Sequence, residues 1–251
     1  MNTQMRTAVI TGAAQGLGRV TAETLVEAGF AVMLLDLQPL DAIVTELRAK
    51  GHTAHGLSGD IADEAFVQQA AAEVALTMGS AEVLVNNAGI SVGSSVFAED
   101  DDFLTAWDNT LAVNVSAQAH FIRLVVPYMR SANIAGRIIN IASTEAIVAT
   151  PGLAAYTAAK HGVVGLTKSM ATQLGRYGIT VNAVCPGPIN TNMTADIPTD
   201  AKAKYAHRKV PLKRYGEPEE VAHMTLNLAM PASSFVNGAV VVVDGGMTIQ
   251  H

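Results

Sequence analysis

Arg6–Gly18 reads RTAVITGAAQGLG. Its first residues, RTAVIT, form an apolar run, the pattern of a strand buried on both faces. Glycines at 12, 16 and 18 follow directly, and a helical pattern opens at Gly18. Glycine permits a tight turn and lets the backbone approach a pyrophosphate with no Cβ in the way. A helix N-terminus behind such a turn offers amide donors and a favourable dipole to an anion. Strand, turn and helix in this order point to a dinucleotide site formed by Gly12, Gln15, Gly16, Leu17 and Gly18. The spacing is wider than G-x-G-x-x-G, so it is a variant of that fingerprint. A glycine-rich turn without ligand stays open at this point.

The alternation continues along the chain. Strands are expected at 31–36, 53–57, 82–86, 137–143, 180–184 and 239–244. Helices are expected at Gly18–Ala28, Ala42–Lys50, Glu64–Met78, Phe103–Val113, Ser116–Arg130, Tyr156–Arg176 and Pro218–Met230. Gly51, Gly79 and Gly178 serve as stop signals, and Pro218 suits a first helical turn. Apolar strands separated by amphipathic helices imply a parallel sheet covered on both faces. No linker or repeat divides the chain, so residues 1–251 read as one nucleotide-binding and catalytic domain. Pro186–Arg214 is the one long irregular stretch. It reads as a lid over 188–214 or as a variable surface excursion, and its root beside a strand's carboxyl end favours the lid.

The chain has 251 residues, 49% hydrophobic and 15% charged, which suits one large α/β domain and excludes disorder. A net charge of −6 provides no basic field for nucleic acid. The apolar runs are far shorter than a membrane span. The opening MNTQMRTAVITG contains no secretory leader pattern. A single cysteine, Cys185, excludes an internal disulfide and reads as a packed small hydrophobe. Cytoplasmic residence is expected. The seven histidines are dispersed, with no H-E-x-x-H pattern, so no metal site is expected.

Asp36 ends the second strand pattern, where a carboxylate can accept both hydroxyls of an adenosine ribose. It would repel a 2′-phosphate, and the next residue is Leu37 rather than arginine, so NAD is expected over NADP. Asp60 and Ile61 can flank the adenine, and Asn87, Ala88 and Gly89 after the fourth strand read as a cofactor border or as a plain turn, their place at a strand's carboxyl end favouring the border. Tyr156 and Lys160 stand four apart on one helical face, and Ser143 ends the strand pattern GRIINIAS. A phenol titrates near 10 and is a weak base at neutrality, but an ammonium beside it favours the phenolate. Ser143 can donate to a carbonyl or alcohol oxygen. Together they form a proton shuttle beside a hydride acceptor.

TGAAQGLG at 11–18, Asp60, NNAG at 86–89, Asn114, Ser143, Tyr156, Lys160, PGPINT at 186–191 and VDGG at 243–246 occur in this order. In these features the chain resembles a short-chain dehydrogenase/reductase over essentially its whole length. The resemblance implies a Rossmann-type doubly wound domain with a seven-stranded parallel sheet and helices on both faces. It makes Tyr156 the general acid/base and gives Lys160 the nicotinamide ribose and the lowering of the tyrosine pKa. Ser143 would polarise the substrate oxygen, and Asn114 would hold a water linking Lys160 to solvent. Pro186, Gly187, Ile189 and Thr191 would meet the nicotinamide end. The resemblance also implies a homotetramer built on the helices around 103–130 and 156–176. The segment GMTIQH reads as reaching a neighbouring subunit or as a frayed tail.

The substrate is less legible. Glu145 reads either as a pocket carboxylate for a polyol, sugar or amine, or as a solvated loop residue. Leu153 and Asn190 are further pocket candidates beside Ser143 and Tyr156. Lys202, Lys204, His207, Arg208, Lys209, Lys213 and Arg214 read as a solvated face or as an attraction for a carboxylate substrate. The expected activity is NAD-linked interconversion of a secondary alcohol and a ketone on a small polar substrate: a sugar, polyol or hydroxy acid. A 3-oxoacyl-carrier-protein reductase is the alternative, opposed by Asp36. A non-catalytic dinucleotide-binding protein is a third reading, opposed by the intact Ser143, Tyr156 and Lys160.

Overall fold

The period-two alternation of strand side chains sorts the core into two layers. In the computed structural model, which describes residues 5–250, Ala8, Ile10, Val32, Leu34, Val83 and Val85 point to one face of the sheet. Val9, Met33, Leu35, Leu84 and Ile138 point to the other. The strands are β1 (Arg6–Thr11), β2 (Phe30–Asp36), β3 (Ala54–Ser58), β4 (Val83–Asn86), β5 (Arg137–Ile141), β6 (Thr180–Pro186) and β7 (Val240–Val243). They form one seven-stranded sheet in the order β3-β2-β1-β4-β5-β6-β7, parallel throughout.

Helices α1 (Gly16–Glu27), α2 (Asp41–Ala49) and α8 (Pro218–Ala229) cover the first face, with Leu25, Leu47 and Val221 buried against it. Helices α3 (Glu64–Met78), α5 (Ala117–Ser131) and α6 (Ala154–Leu174) cover the second through Val67, Phe121, Met129 and Leu174. Each such fully buried aliphatic or aromatic side chain stabilises the fold by roughly 1.5–3 kcal/mol. The expected doubly wound α/β domain is the architecture found. None of the described helices is long and apolar enough to cross a membrane.

Two expectations are corrected. The gap expected near 113–116 is not a break. Helix α4 (Asp100–Leu111) runs into α5 through a π-helical turn, Ala112–Ser116. One extra residue is accommodated there without ending the helix. The stretch 186–214 is also less irregular than expected, because it contains α7 (Thr199–Lys209). Asp200 in its first turn and His207, Arg208 and Lys209 in its last complement the helix dipole. A small satellite core of Ala206, Val210 and Tyr215, joined by Tyr205 and Met247, anchors α7. The C-terminal segment forms a short 3-10 turn at Met247–Ile249, while the start of MNTQMRTAVITG and His251 lie outside the described residues.

A buried polar chain ties the sheet to α6. Asn86 donates to Asn140 Oδ1 (2.8 Å), Asn140 donates to Thr167 Oγ1 (2.9 Å), and Thr167 donates to the Val163 carbonyl (2.8 Å). All three side chains are fully buried. Their satisfaction sets the position of α6 along the sheet. Asn140→Ala would strand the Asn86 amide and take one donor from the Thr167 hydroxyl, which keeps its bond to Val163. It is expected to lower stability by about 1–3 kcal/mol, read from the urea midpoint; an unchanged midpoint would show that water or rearrangement satisfies both groups.

Candidate active site

A cleft of about 400 Å³ opens at the carboxyl ends of the strands, beside β1 and β4 where the strand order reverses. Its floor permits no side chain at two glycines. A Cβ on Gly18 would stand 2.0 Å from the Gly12 carbonyl oxygen, and one on Gly12, at φ +67°, would stand 2.8 Å from Ala88 Cα. The loops after β1 and β4 are stitched together: Thr11 Oγ1 accepts from the amides of Asn87 (3.0 Å) and Ala88 (2.9 Å). Asn87 Nδ2 donates back to the carbonyls of Thr11 (2.9 Å) and Gly12 (3.0 Å). Helix α1 begins at Gly16, and the side chain of its N-cap, Gln15, does not cap it. Instead Gln15 Oε1 accepts from Asn192 Nδ2 (2.5 Å) at the root of the 188–214 segment. Leu17 lines the same wall.

At one end of the cleft, Asp36 is held by the amides of Ala14 and Gln38 (both 2.9 Å). Leu37, Asp60 and Ile61 stand with it, Leu37 being 66% exposed. Lys160 is the single cation among the described residues lining the cleft, and it sits at the other end. Arg19, on the first helix, is already paired with Glu23 (2.9 Å) and Glu46 (2.6 Å).

At that other end, β5 delivers Ser143 and α6 delivers Tyr156 and Lys160. Ser143 Oγ accepts from the Glu145 amide (3.1 Å), which leaves its own proton free to donate. Lys160 is buried, donates to the Ile141 carbonyl (2.9 Å) and stands 5.5 Å from the centroid of the Tyr156 ring. Asn114 lies in the π-helical turn, buried, with its amide group paired to both Ile90 backbone groups (2.8 Å each). A Cβ on Gly89 would lie 3.3 Å from Asn114 Oδ1 and 3.5 Å from Lys160 Nζ, so the three residues adjoin. Pro186, Gly187, Ile189 and Thr191 line the neighbouring wall.

Burial dominates the electrostatics. It pushes the Tyr156 phenol above its usual pKa; the Ser143 hydroxyl pulls it back, and the charge of Glu145 pushes it further up. Burial drops Lys160 itself to about 8. Cys185 is wholly buried behind it, as expected of a packed hydrophobe.

The pocket candidates fare differently. Glu145 is neither solvated nor turned to the cleft: it is buried, and its carboxylate accepts from the Thr150 amide (3.1 Å), the Thr150 hydroxyl (2.6 Å) and the Thr157 hydroxyl (2.6 Å). Asn190 is engaged with Glu217 (2.8 Å) and does not line the cleft, because its amide ties the root of the 188–214 segment to the start of α8. Leu153 precedes α6, half-buried, bridged to Ser94 and outside the cleft wall. Gln38, Phe66 and Met193 line the cleft without having been anticipated. For Phe66 a signal existed: Gly59 precedes Asp60, and a Cβ there would stand 2.1 Å from the Phe66 ring.

Lys160 makes a pH prediction. Its folded pKa, about 8, lies below the ordinary value, so the fold disfavours the charged form. That cost is fully present below pH 8 and fades as pH rises toward the unfolded value of about 10.4. Lys160→Met is therefore expected to be more stable than the parent near pH 7 by up to about 3 kcal/mol, with the gap closing toward pH 10 in urea titrations. A constant gap would contradict the burial cost.

The family profile described as enoyl-(acyl carrier protein) reductase matches residues 12–248. Cis-4-hydroxycyclohexanecarboxylate dehydrogenase of Sinomonas cyclohexanicum is 38% identical, covering 97% of this chain and 96% of that protein. A 3-oxoacyl-[acyl-carrier-protein] reductase of Thermotoga maritima is 36% identical, covering 99% and 100%. The crystal structure of a gluconate 5-dehydrogenase from Burkholderia cenocepacia J2315, in complex with NADP and tartrate, superposes with a TM-score of 0.90 at 32% identity, covering 98% and 96%. Similarity that runs unbroken from the glycine loop past the last strand makes this chain a member of the short-chain dehydrogenase/reductase family of NAD(P)-dependent oxidoreductases.

Proposed function

We propose that the protein is an NAD-dependent dehydrogenase that oxidises the secondary alcohol of a small hydroxy acid and reduces the matching ketone. The observation that carries this reading is the meeting of Ser143, Tyr156 and Lys160 at one end of a cleft whose far end carries the carboxylates of Asp36 and Asp60 and, among the described residues, no cation. The cradle of Gly12, Gln15, Gly16, Leu17 and Gly18 suits a pyrophosphate, since nothing larger than hydrogen is tolerated at Gly12 and Gly18. Asp36 and Leu37 would hold the adenosine ribose, Asp60 and Ile61 the adenine. Asn87, Ala88 and Gly89 would border the middle, and Pro186, Gly187, Ile189 and Thr191 the nicotinamide. When bound, the nicotinamide supplies a two-electron hydride acceptor.

The residues of the chain then manage the proton. Ser143 donates to the substrate oxygen and orients it. Tyr156, as phenolate, takes the hydroxyl proton while the carbon gives up its hydride. Lys160 holds a positive charge beside the phenol and would carry the ribose, and Asn114 stands next to it for onward proton passage. The segment 188–214 acts as the substrate lid. Two similarities support a hydroxy acid. The Sinomonas relative is named for a hydroxycyclohexanecarboxylate, and the Burkholderia enzyme was crystallised with tartrate. NAD is favoured by Asp36 and by the lack of a free cation at its end of the cleft among the described residues, although the Burkholderia structure contains NADP. A second reading, reduction of a carrier-bound 3-oxoacyl group, has support from the Thermotoga relative and from exposed Arg208 and Lys209. It requires NADPH and an acidic carrier.

Tyr156→Phe is expected to lower kcat by about 10²–10⁴-fold and to leave NADH binding, followed by fluorescence, unchanged. Retained turnover would remove the tyrosine from its role. Because burial raises the phenol, oxidation should accelerate toward alkaline pH as the base form appears, and ketone reduction should slow over the same limb. Asp36→Ala should move the NADP/NAD ratio of kcat/KM by about tenfold or more toward NADP; an unchanged ratio would separate Asp36 from cofactor choice.

A further inference from the structure

Glu145 presents an anomaly. It is a carboxylate only 9% exposed, with no cation paired to it among the described residues. A buried charge without a counter-charge is costly unless hydrogen bonds saturate it. Here three do, and they come from two different elements. Oε1 accepts from the Thr150 hydroxyl (2.6 Å), and Oε2 accepts from the Thr150 amide (3.1 Å) and from the Thr157 hydroxyl (2.6 Å). Thr150 lies in the loop after β5, and Thr157 is the residue after Tyr156 on α6. The backbone amide of Glu145, meanwhile, donates to Ser143 Oγ (3.1 Å). One residue thus touches both sides of the proton-transfer site.

We propose that Glu145 is a positioning residue: its carboxylate clamps the Ser143 loop to the first turn of α6, holding the serine hydroxyl against the Tyr156 phenol. The role presupposes the dehydrogenase reading above. The clamp has the geometry of a fixed support. Ser143 and Tyr156 sit on separate elements, a strand end and a helix start, and their approach is set by whatever joins those elements. The Thr157 hydroxyl is the direct side-chain link from that helical turn to the loop. Small displacements of reacting groups cost orders of magnitude in rate, so such a link belongs to the machinery even though it touches no substrate.

The carboxylate also acts through space. The groups near Tyr156 are Lys160 on its own helix, Ser143 and Glu145 on the loop after β5, and Cys185 on β6 beside Lys160; the charge of Glu145 also reaches Tyr205 of α7. The charge of Glu145 disfavours ionisation of both phenols. Removing the charge while keeping the shape should therefore shift Tyr156 ionisation to lower pH. A purely structural clamp would leave it where it is.

The test uses the intact protein with the tyrosines labelled at Cζ with ¹³C, in the parent, Glu145→Gln, Thr157→Val and Thr157→Ser. Tyr156 is assigned from Tyr156→Phe. Glu145→Gln is expected to shift the Tyr156 titration to lower pH and, with a hydroxy acid and NAD, to lower kcat by about 10–100-fold with KM changed less. Thr157→Val should lower kcat in the same range without that downward shift, since the charge stays. Thr157→Ser, which keeps the hydroxyl, should restore most of the rate. An unmoved titration in Glu145→Gln, or a Thr157→Val enzyme with full kcat, would overturn the proposal. The titration reads out with no turnover, so a parent inactive on every hydroxy acid would sink the dehydrogenase reading and leave the ionisation result interpretable on its own. If Glu145→Gln fails to fold, the threonine pair decides the clamp alone.

Discussion

Parallel strands that exit in opposite directions from the middle of a sheet cannot both be covered at their carboxyl ends. β1 sends its chain into α1 toward β2, while β4 sends its chain into α4 toward β5. The two connections diverge, and a crevice remains between them. Everything chemical in this molecule sits in or beside that crevice. The glycine loop forms one wall because only hydrogen fits where the β1 and β4 loops cross at Gly12 and Ala88. The next strand outward, β5, leads into Ser143 two residues past its end, and α6 packs beside it with Tyr156 and Lys160.

At the inner end of this crevice Lys160 is buried, and burial decides the electrostatics. Burial raises the Tyr156 phenol and depresses Lys160 to about 8, both disfavouring charge. The site offsets part of this with polar groups. Ile141 offers its carbonyl to Lys160, Ser143 lies beside the phenol, and the Asn86–Asn140–Thr167 chain keeps α6 in place. Along the cleft the carboxylates of Asp36 and Asp60 stand at one end and the ammonium of Lys160 at the other.

Much of this was legible in the sequence because the signals are local. RTAVITGAAQGLG announces strand, turn and helix within one short stretch, and Tyr156 and Lys160 share a helical face because a step of four residues is just over one helical turn. The errors fell where partners are remote. The π-helical turn at Ala112–Ser116 preserves helical periodicity on both sides, so an extra residue looked like a break. Helix α7 is polar over most of its surface, and its small apolar face meets Tyr215 and Met247, contacts invisible without the fold. Glu145 looked like a solvated or substrate-facing carboxylate, since neither Thr150 nor Thr157 signals that it will turn its hydroxyl inward. Asn190 read as a pocket residue until its partner Glu217, at the start of α8, accounted for it.

The central claim is that this crevice moves a hydride from a hydroxy acid to NAD with Tyr156 taking the proton. The most direct measurement is label transfer. The protein is incubated with NAD and a panel of hydroxy acids carrying deuterium on the carbinol carbon, and the recovered nicotinamide is analysed by mass spectrometry. The account predicts deuterium in the reduced cofactor with at least one hydroxy acid, and none above background for Tyr156→Phe. NADH that binds in the cleft while no panel member ever transfers its label would contradict it.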